Sequence, residues 1–159
     1  MKTILYSIFI LLLAPCNSPK NISSATANDY TGLIITFQTT ACFGQCPIYT
    51  LTINGKTKTA IFKGEANTEK IGTFSKSITD DEISSLVNTF EAAKFNSLND
   101  EYLGEIVDFP VKYITYTKKG ITKKIKERSG APDVLLSLEK TLYAFADSEG
   151  WKKTEDANH

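Results

Sequence analysis

Histidine is nearly missing from this chain: His159 is its only one. That excludes Ser-His-Asp and Cys-His nucleophile systems, which need an imidazole held inside a folded site. Tryptophan is as scarce, with Trp151 alone, so no Trp-rich sugar cleft accompanies any carboxylate pair. Neither sign of charge prevails, and 18 basic against 18 acidic residues leave no field to attract nucleic acid. No internal repeat recurs along the chain. The longest apolar run, Ile4 to Leu13, would rise only about 15 Å as a helix, half of the roughly 30 Å of a bilayer core. A permanent transmembrane helix is therefore not expected. Cysteine is held to three, Cys16, Cys42 and Cys46, and those three carry most of the information that remains.

The start, Met1-Lys2-Thr3 followed by the apolar run, reads as an export signal. It ends Leu13-Ala14-Pro15-Cys16, which resembles the lipobox of bacterial lipoproteins, in which the cysteine takes up lipid (palmitate among its acyl chains) and becomes the mature N-terminus. Pro15 stands where that pattern carries Gly, Ala or Ser. The competing readings are ordinary cleavage after Ala25-Thr26-Ala27 with secretion without an anchor, and retention of an unprocessed Cys16. Residues 17–29 are small and polar with one large apolar side chain, too little to order themselves. As flexible coil they span roughly 20 Å, a tether long enough to hold a domain off a membrane. The expected location is the bacterial cell envelope, lipid-anchored on the periplasmic or outer surface.

Residues 30–151, about 120, then suit a single domain with one core, followed by a polar tail over 152–159. Leu33, Ile35 and Phe37 alternate with polar or outward positions, as do Tyr49, Leu51 and Ile53, predicting two strands. Asn54-Gly55 is a type I′ hairpin signal leading to a third strand over Lys58–Phe62. A weaker strand is expected over Ile71–Ile78. Thr79 and Glu82 form a capping box, and Ile83, Leu86, Val87 and Phe90 follow at helical spacing. Strands over Val111–Thr117 and Ile121–Glu127 flank the turn Lys118-Lys119-Gly120. Gly130-Ala131-Pro132-Asp133 opens a last helix with Leu135, Leu138, Leu142 and Phe145 as its stripe. The reading is an α+β domain: an antiparallel sheet of about six strands with two helices on one face, in the order ββββαββα.

Gly44 between Cys42 and Cys46 lets the chain curl so that a disulfide can close, the default in an oxidising compartment. So small a loop contributes only about 2 kcal/mol of chain-entropy stabilisation, so the bond mainly fixes local shape. The alternative is a redox-active dithiol, against which stands the strand, not helix, after Pro47. Metal binding lacks ligands, since two thiolates and His159 do not make a tetrahedral site. The segment Cys42-Phe43-Gly44-Gln45-Cys46-Pro47-Ile48-Tyr49, with Asp108-Phe109-Pro110 and Gly130-Ala131-Pro132, resembles an uncharacterised domain-of-unknown-function family of bacterial envelope proteins, often lipoproteins. The resemblance spans roughly Leu33 to Phe145. Members often carry threonine where this chain has Val107. It implies the envelope setting and the Cys-Phe-Gly-x-Cys-Pro-x-Tyr motif, but no activity.

Two other constellations remain. Asp100, Glu101, Glu105 and Asp108 could hold calcium or act as an acid–base pair, or simply be solvated. Lys118, Lys119, Lys123, Lys124, Lys126 and Arg128 make one hairpin basic, with Ile121 and Ile125 expected toward the core. Together with Tyr113 and Tyr116 the hairpin is a candidate patch for an anionic envelope surface or acidic partner, or a solvated edge strand. The function expected is a non-enzymatic, exported, membrane-tethered domain that binds a protein or envelope component, without cofactor or metal. The alternative is a thiol–disulfide oxidoreductase using Cys42 and Cys46.

Overall fold

Period-2 alternation decides which side chains meet the core. Leu33, Ile35, Phe37 and Thr39 are buried along the first strand, and Tyr49, Leu51 and Ile53 along the second, while their neighbours turn to the other face. The computed structural model describes residues 29–154. The export signal, Cys16, all of the tether but its last residue, and His159 lie outside the described residues. Within them the chain forms β1 (Ile34–Thr39), β2 (Ile48–Asn54), β3 (Thr59–Ala66), β4 (Gly72–Ser77), α1 (Asp80–Ala92), a 3-10 turn at Phe95–Ser97, β5 (Glu101–Leu103), β6 (Lys112–Lys118), β7 (Ile121–Ser129), α2 (Asp133–Asp147) and β8 (Lys152–Lys153). The strands make one open sheet in the order β5-β7-β6-β1-β2-β3-β4-β8, antiparallel except where β5 pairs parallel with β7.

The α+β class stands, but the sheet has eight strands rather than about six, and the order is ββββαβββαβ. β5 emerges from the acidic loop and β8 from the expected polar tail. With three and two residues, neither is long enough to carry an alternation of its own. Each is templated by a partner edge, β7 for one and β4 for the other.

Both helices cover the same face. The capping box is formed: the Thr79 hydroxyl accepts from the Glu82 amide at 3.2 Å, and the Thr79 amide donates to the Glu82 carboxylate at 2.8 Å. α1 crosses the strands from Asp80, paired with Lys58, to Phe90, whose ring stacks on Tyr116 at 4.4 Å. α2 crosses nearer the other end. Tyr143 stands edge-on to Phe37 at 4.9 Å, and Trp151 lies between Phe62 and Phe145.

Two local expectations change. Asn54-Gly55 is not a type I′ turn; the positive φ of that loop falls on Lys58, and Asn54 Oδ1 accepts from the amides of Lys56 and Thr57 at 2.9 and 3.2 Å. Gly55 is required instead because a Cβ there would stand 2.6 Å from the Tyr30 carbonyl oxygen. Ile121, expected in the core beside Ile125, is 65% exposed, because the start of β7 extends past the helices that cover Ile125.

Candidate functional site

Alternating strand directions bring the C-terminal ends of β1, β3, β5 and β7 together with the N-terminal ends of β2, β4 and β6. The three segments singled out in the sequence therefore meet at one end of the sheet: the Cys42–Tyr49 stretch, Asp108–Pro110, and Gly130–Pro132 ahead of α2. Cys42 and Cys46 are joined as a disulfide, with their Cα atoms 5.8 Å apart. The Gly44 amide donates to Cys42 Sγ at 3.2 Å. Pro47 leads directly into β2, and Asn67 Nδ2 donates to the Cys46 carbonyl at 3.1 Å.

The disulfide loop is laced to the loop before β6. The Thr40 amide and hydroxyl donate to the Val111 carbonyl at 3.1 and 2.9 Å, and the Val111 amide donates to Thr40 Oγ1 at 3.1 Å. These two loops expose apolar side chains: Phe43 at 88%, Ile106 at 50%, Val107 at 60% and Phe109 at 53%. Single exposed apolar residues are ordinary on protein surfaces. Four are carried by two loops at one end of the sheet, joined by the Thr40–Val111 hydrogen bonds.

Directly beneath lies a buried charged cluster that the sequence reading did not single out. Thr39 pairs with Lys112, and Lys112 with Glu127, in one row across β1, β6 and β7. Glu139 descends on them from α2. Lys112 Nζ donates to Glu139 Oε2 at 2.5 Å and stands 2.5 Å from Glu127 Oε2. The Glu127 and Glu139 side chains are only 2% and 5% exposed. One ammonium faces two carboxylates, so the cluster is neutral when one carboxyl is protonated. Burial is the main reason that the Glu139 carboxyl is pushed up to about 7, with Lys112 opposing it and Glu127 adding to it. Burial pulls Lys112 down, but its two carboxylate partners outweigh this and hold its pKa above the ordinary value.

The raised carboxyl predicts a pH dependence. A group that binds its proton more tightly when folded stabilises the protein fully below its ordinary value of 4.5 and loses that contribution as pH rises through about 7. Stability should thus fall between about pH 5 and pH 7.5, with a slope of up to about 1.4 kcal/mol per pH unit. No histidine lies among the described residues to blur that window. Urea midpoints across this range should flatten in Glu139→Gln; an unchanged slope would remove Glu139 as its source.

A cleft of about 410 Å³ opens beside the disulfide loop on the helix-bearing face. Pro47, Tyr49 and Tyr143 form one wall, the Asn67–Lys70 loop the other, and Asp147 its far side. Tyr49 is 4% exposed and its hydroxyl has no hydrogen-bond partner. Burial holds that hydroxyl protonated, with Tyr143 and Asp147 as secondary influences.

The basic hairpin is dispersed by comparison. Tyr113 and Tyr116 are three residues apart on a strand, so they point to opposite faces. Tyr116 is 4% exposed and belongs to the core, leaving the candidate patch. Lys118 pairs with Glu91, Lys123 with Asp100, and Lys126 with Glu101 at 3.6 Å. Lys124 lies 4.6 Å over the Tyr113 ring. Arg128 donates to the carbonyls of Leu103 and Gly104 at 2.7 and 3.3 Å, and Lys119 remains exposed at the turn. Of the acidic residues considered for calcium, Asp100 and Glu101 are thus engaged by lysines, while Glu105 and Asp108 are exposed on the loop before β6. Among the described residues no three His, Cys, Asp or Glu side chains are grouped to hold a metal, and no helix is long and apolar enough to cross a membrane.

No curated protein and no solved structure matches the chain. Residues 33–146 match a family described as Domain of unknown function (DUF6438), a span that includes the disulfide loop, the buried Lys112 cluster and nearly all of the cleft. The protein is a member of the DUF6438 family.

Proposed function

We propose that this protein is a non-enzymatic, exported domain, tethered to an envelope membrane through Cys16, that docks a protein or envelope component with the disulfide end of its sheet. The reading rests on one observation: Phe43, Ile106, Val107 and Phe109 are exposed on two loops at one end of the sheet that hydrogen bonds join at Thr40 and Val111. Rigid presentation of apolar side chains lowers the ordering cost of binding. The nearby Glu105 and Asp108 carry no ion pair among the described residues. They disfavour an anionic lipid surface as the direct contact and favour a protein one.

A photo-crosslinking residue placed at position 43 or 109 in cells should give discrete adducts, and one at position 119, at the far end of the sheet, should not. Adducts equal at all three positions, or at none, would reject this surface. For the tether, labelled palmitate should enter the wild type and not Cys16→Ser; equal incorporation would reject it.

One contact favours the oxidoreductase reading. The Gly44 amide donates to Cys42 Sγ, a contact that stabilises a thiolate. A reduction potential below about −300 mV would identify a structural bond, and one near −120 to −200 mV an oxidising or isomerising dithiol.

A further inference from the structure

We infer that the disulfide end of the sheet is worked by a proton: one proton held between Glu127 and Glu139 keeps the Thr40–Val111 clasp closed, and its release opens the two loops that the clasp joins. The switch rests on the docking reading for its role, since those loops carry Phe43 and Phe109, but not for its mechanism. The charge count is the first observation. One ammonium and two carboxyls meet inside the fold, with Lys112 Nζ 2.5 Å from both Glu127 Oε2 and Glu139 Oε2. Both glutamates are more than nine-tenths buried, and Glu139 Oε1 has no hydrogen-bond partner among the described residues. Fully ionised, the cluster would hold a net negative charge away from water, and taking up a proton relieves it. The charged groups that face Glu139 are Lys112 from β6 and Glu127 from β7, while β1 presents only the uncharged Thr39. Tyr143, on the next turn of α2, feels all three charges and is itself held protonated by burial.

The second observation is where the cluster sits along the chain. Lys112 follows Val111 directly, and Thr39, its partner across the ladder, directly precedes Thr40. Thr40 and Val111 make the clasp: the Thr40 amide and hydroxyl donate to the Val111 carbonyl, and the Val111 amide donates to Thr40 Oγ1. Cys42 and Phe109 each lie two residues from it. Around Glu139 the inward stripe of α2, Leu135, Leu138 and Leu142, is closed into the core. A second ionised carboxylate therefore reaches water by drawing Lys112 out of place at the loop end, and Lys112 is the least buried of the three. Moving Lys112 moves Val111, and the clasp parts with it. Opening is favoured as pH rises, because the open form returns Glu139 to its ordinary, weaker hold on the proton.

Native-state hydrogen exchange on the 15N-labelled full chain tests this, read at the Thr40 and Val111 amides from about pH 5 to about pH 7.5, with and without low urea. Both amides should exchange through a local opening that urea does not promote. Leu51, fully buried at the centre of the sheet, should exchange only through urea-sensitive global unfolding. After allowance for intrinsic exchange, the opening constant at Thr40 and Val111 should rise by up to about tenfold per pH unit and level off above about 7. Glu139→Gln and Glu127→Gln each leave one carboxylate for one ammonium, and each should make that constant independent of pH. Should one of the two fail to fold, the other decides. Exchange at Thr40 and Val111 with the urea dependence of Leu51 would overturn the inference, as would a pH-independent opening in the wild type or an unchanged slope in a folded variant. The measurement needs no partner, so absent adducts at position 43 would reject only the docking role and leave the switch standing.

Discussion

Lys112→Met is expected to destabilise the domain by about 3–5 kcal/mol near neutral pH, read from urea unfolding. The side chain is nearly isosteric, so little packing is lost. What is lost is the only cation between Glu127 and Glu139, whose side chains are 2% and 5% exposed. Two neighbouring carboxyls in low dielectric cannot both ionise, so at least one must take up a proton for the variant to stay folded. The sign follows: without Lys112 opposing it the Glu139 carboxyl would be raised further, and the variant's deficit should shrink as pH falls toward 5. Lys112→Met/Glu127→Leu/Glu139→Leu should recover most of the loss and can exceed the wild type by about 1–4 kcal/mol, because an apolar layer avoids desolvating three charges. A loss under about 1 kcal/mol for Lys112→Met would mean that water reaches the cluster and solvates the carboxylates.

That cluster also marks where sequence reading stops. Alternation was legible in Leu33, Ile35 and Phe37 and in Tyr49, Leu51 and Ile53, since each period is local. The Thr79–Glu82 capping box was legible for the same reason. The disulfide loop was legible because four residues and one glycine bring Cys42 and Cys46 together. Lys112, Glu127 and Glu139 were missed because residue type overrode position. Lys112 shares its face with Ile114 and Tyr116, Glu127 shares one with Ile125, and Glu139 lies one turn from Leu135 on the apolar stripe of α2. A charged residue at an inward register position was the available signal. Pairing Tyr113 with Tyr116 failed on the same count, since an odd separation places them on opposite faces. The cleft had no such signal. Its walls come from β2, the β3–β4 loop and α2, and only the folded sheet with α2 packed on it makes them neighbours.

Gly64→Ala should cost about 3 kcal/mol and lower Tm by on the order of 10 °C. The cause is space rather than conformation. Gly64 belongs to β3, opposite Tyr49 and Gly72 in the ladder, and the Asn67–Lys70 loop folds back over it. A Cβ at this position would lie 1.7 Å from the Lys70 carbonyl oxygen and 2.9 Å from Thr68 Cγ2. The first neighbour is backbone and has no rotamer to escape into, so the loop itself must move. That links stability to the site, because the same loop carries Glu69 and Lys70 and sets Lys70 over Phe62. Gly120→Ala is the informative contrast. Nothing lies within 4 Å of its added Cβ, but its φ is +78°, so it should lose only about 1 kcal/mol through left-handed strain. Amide spectra should then separate the two: Gly64→Ala displaces the resonances of Asn67 to Lys70, and Gly120→Ala leaves them in place. If Gly64→Ala unfolds at the wild-type midpoint with those resonances unmoved, the loop is not seated on β3, and the cleft loses its second wall.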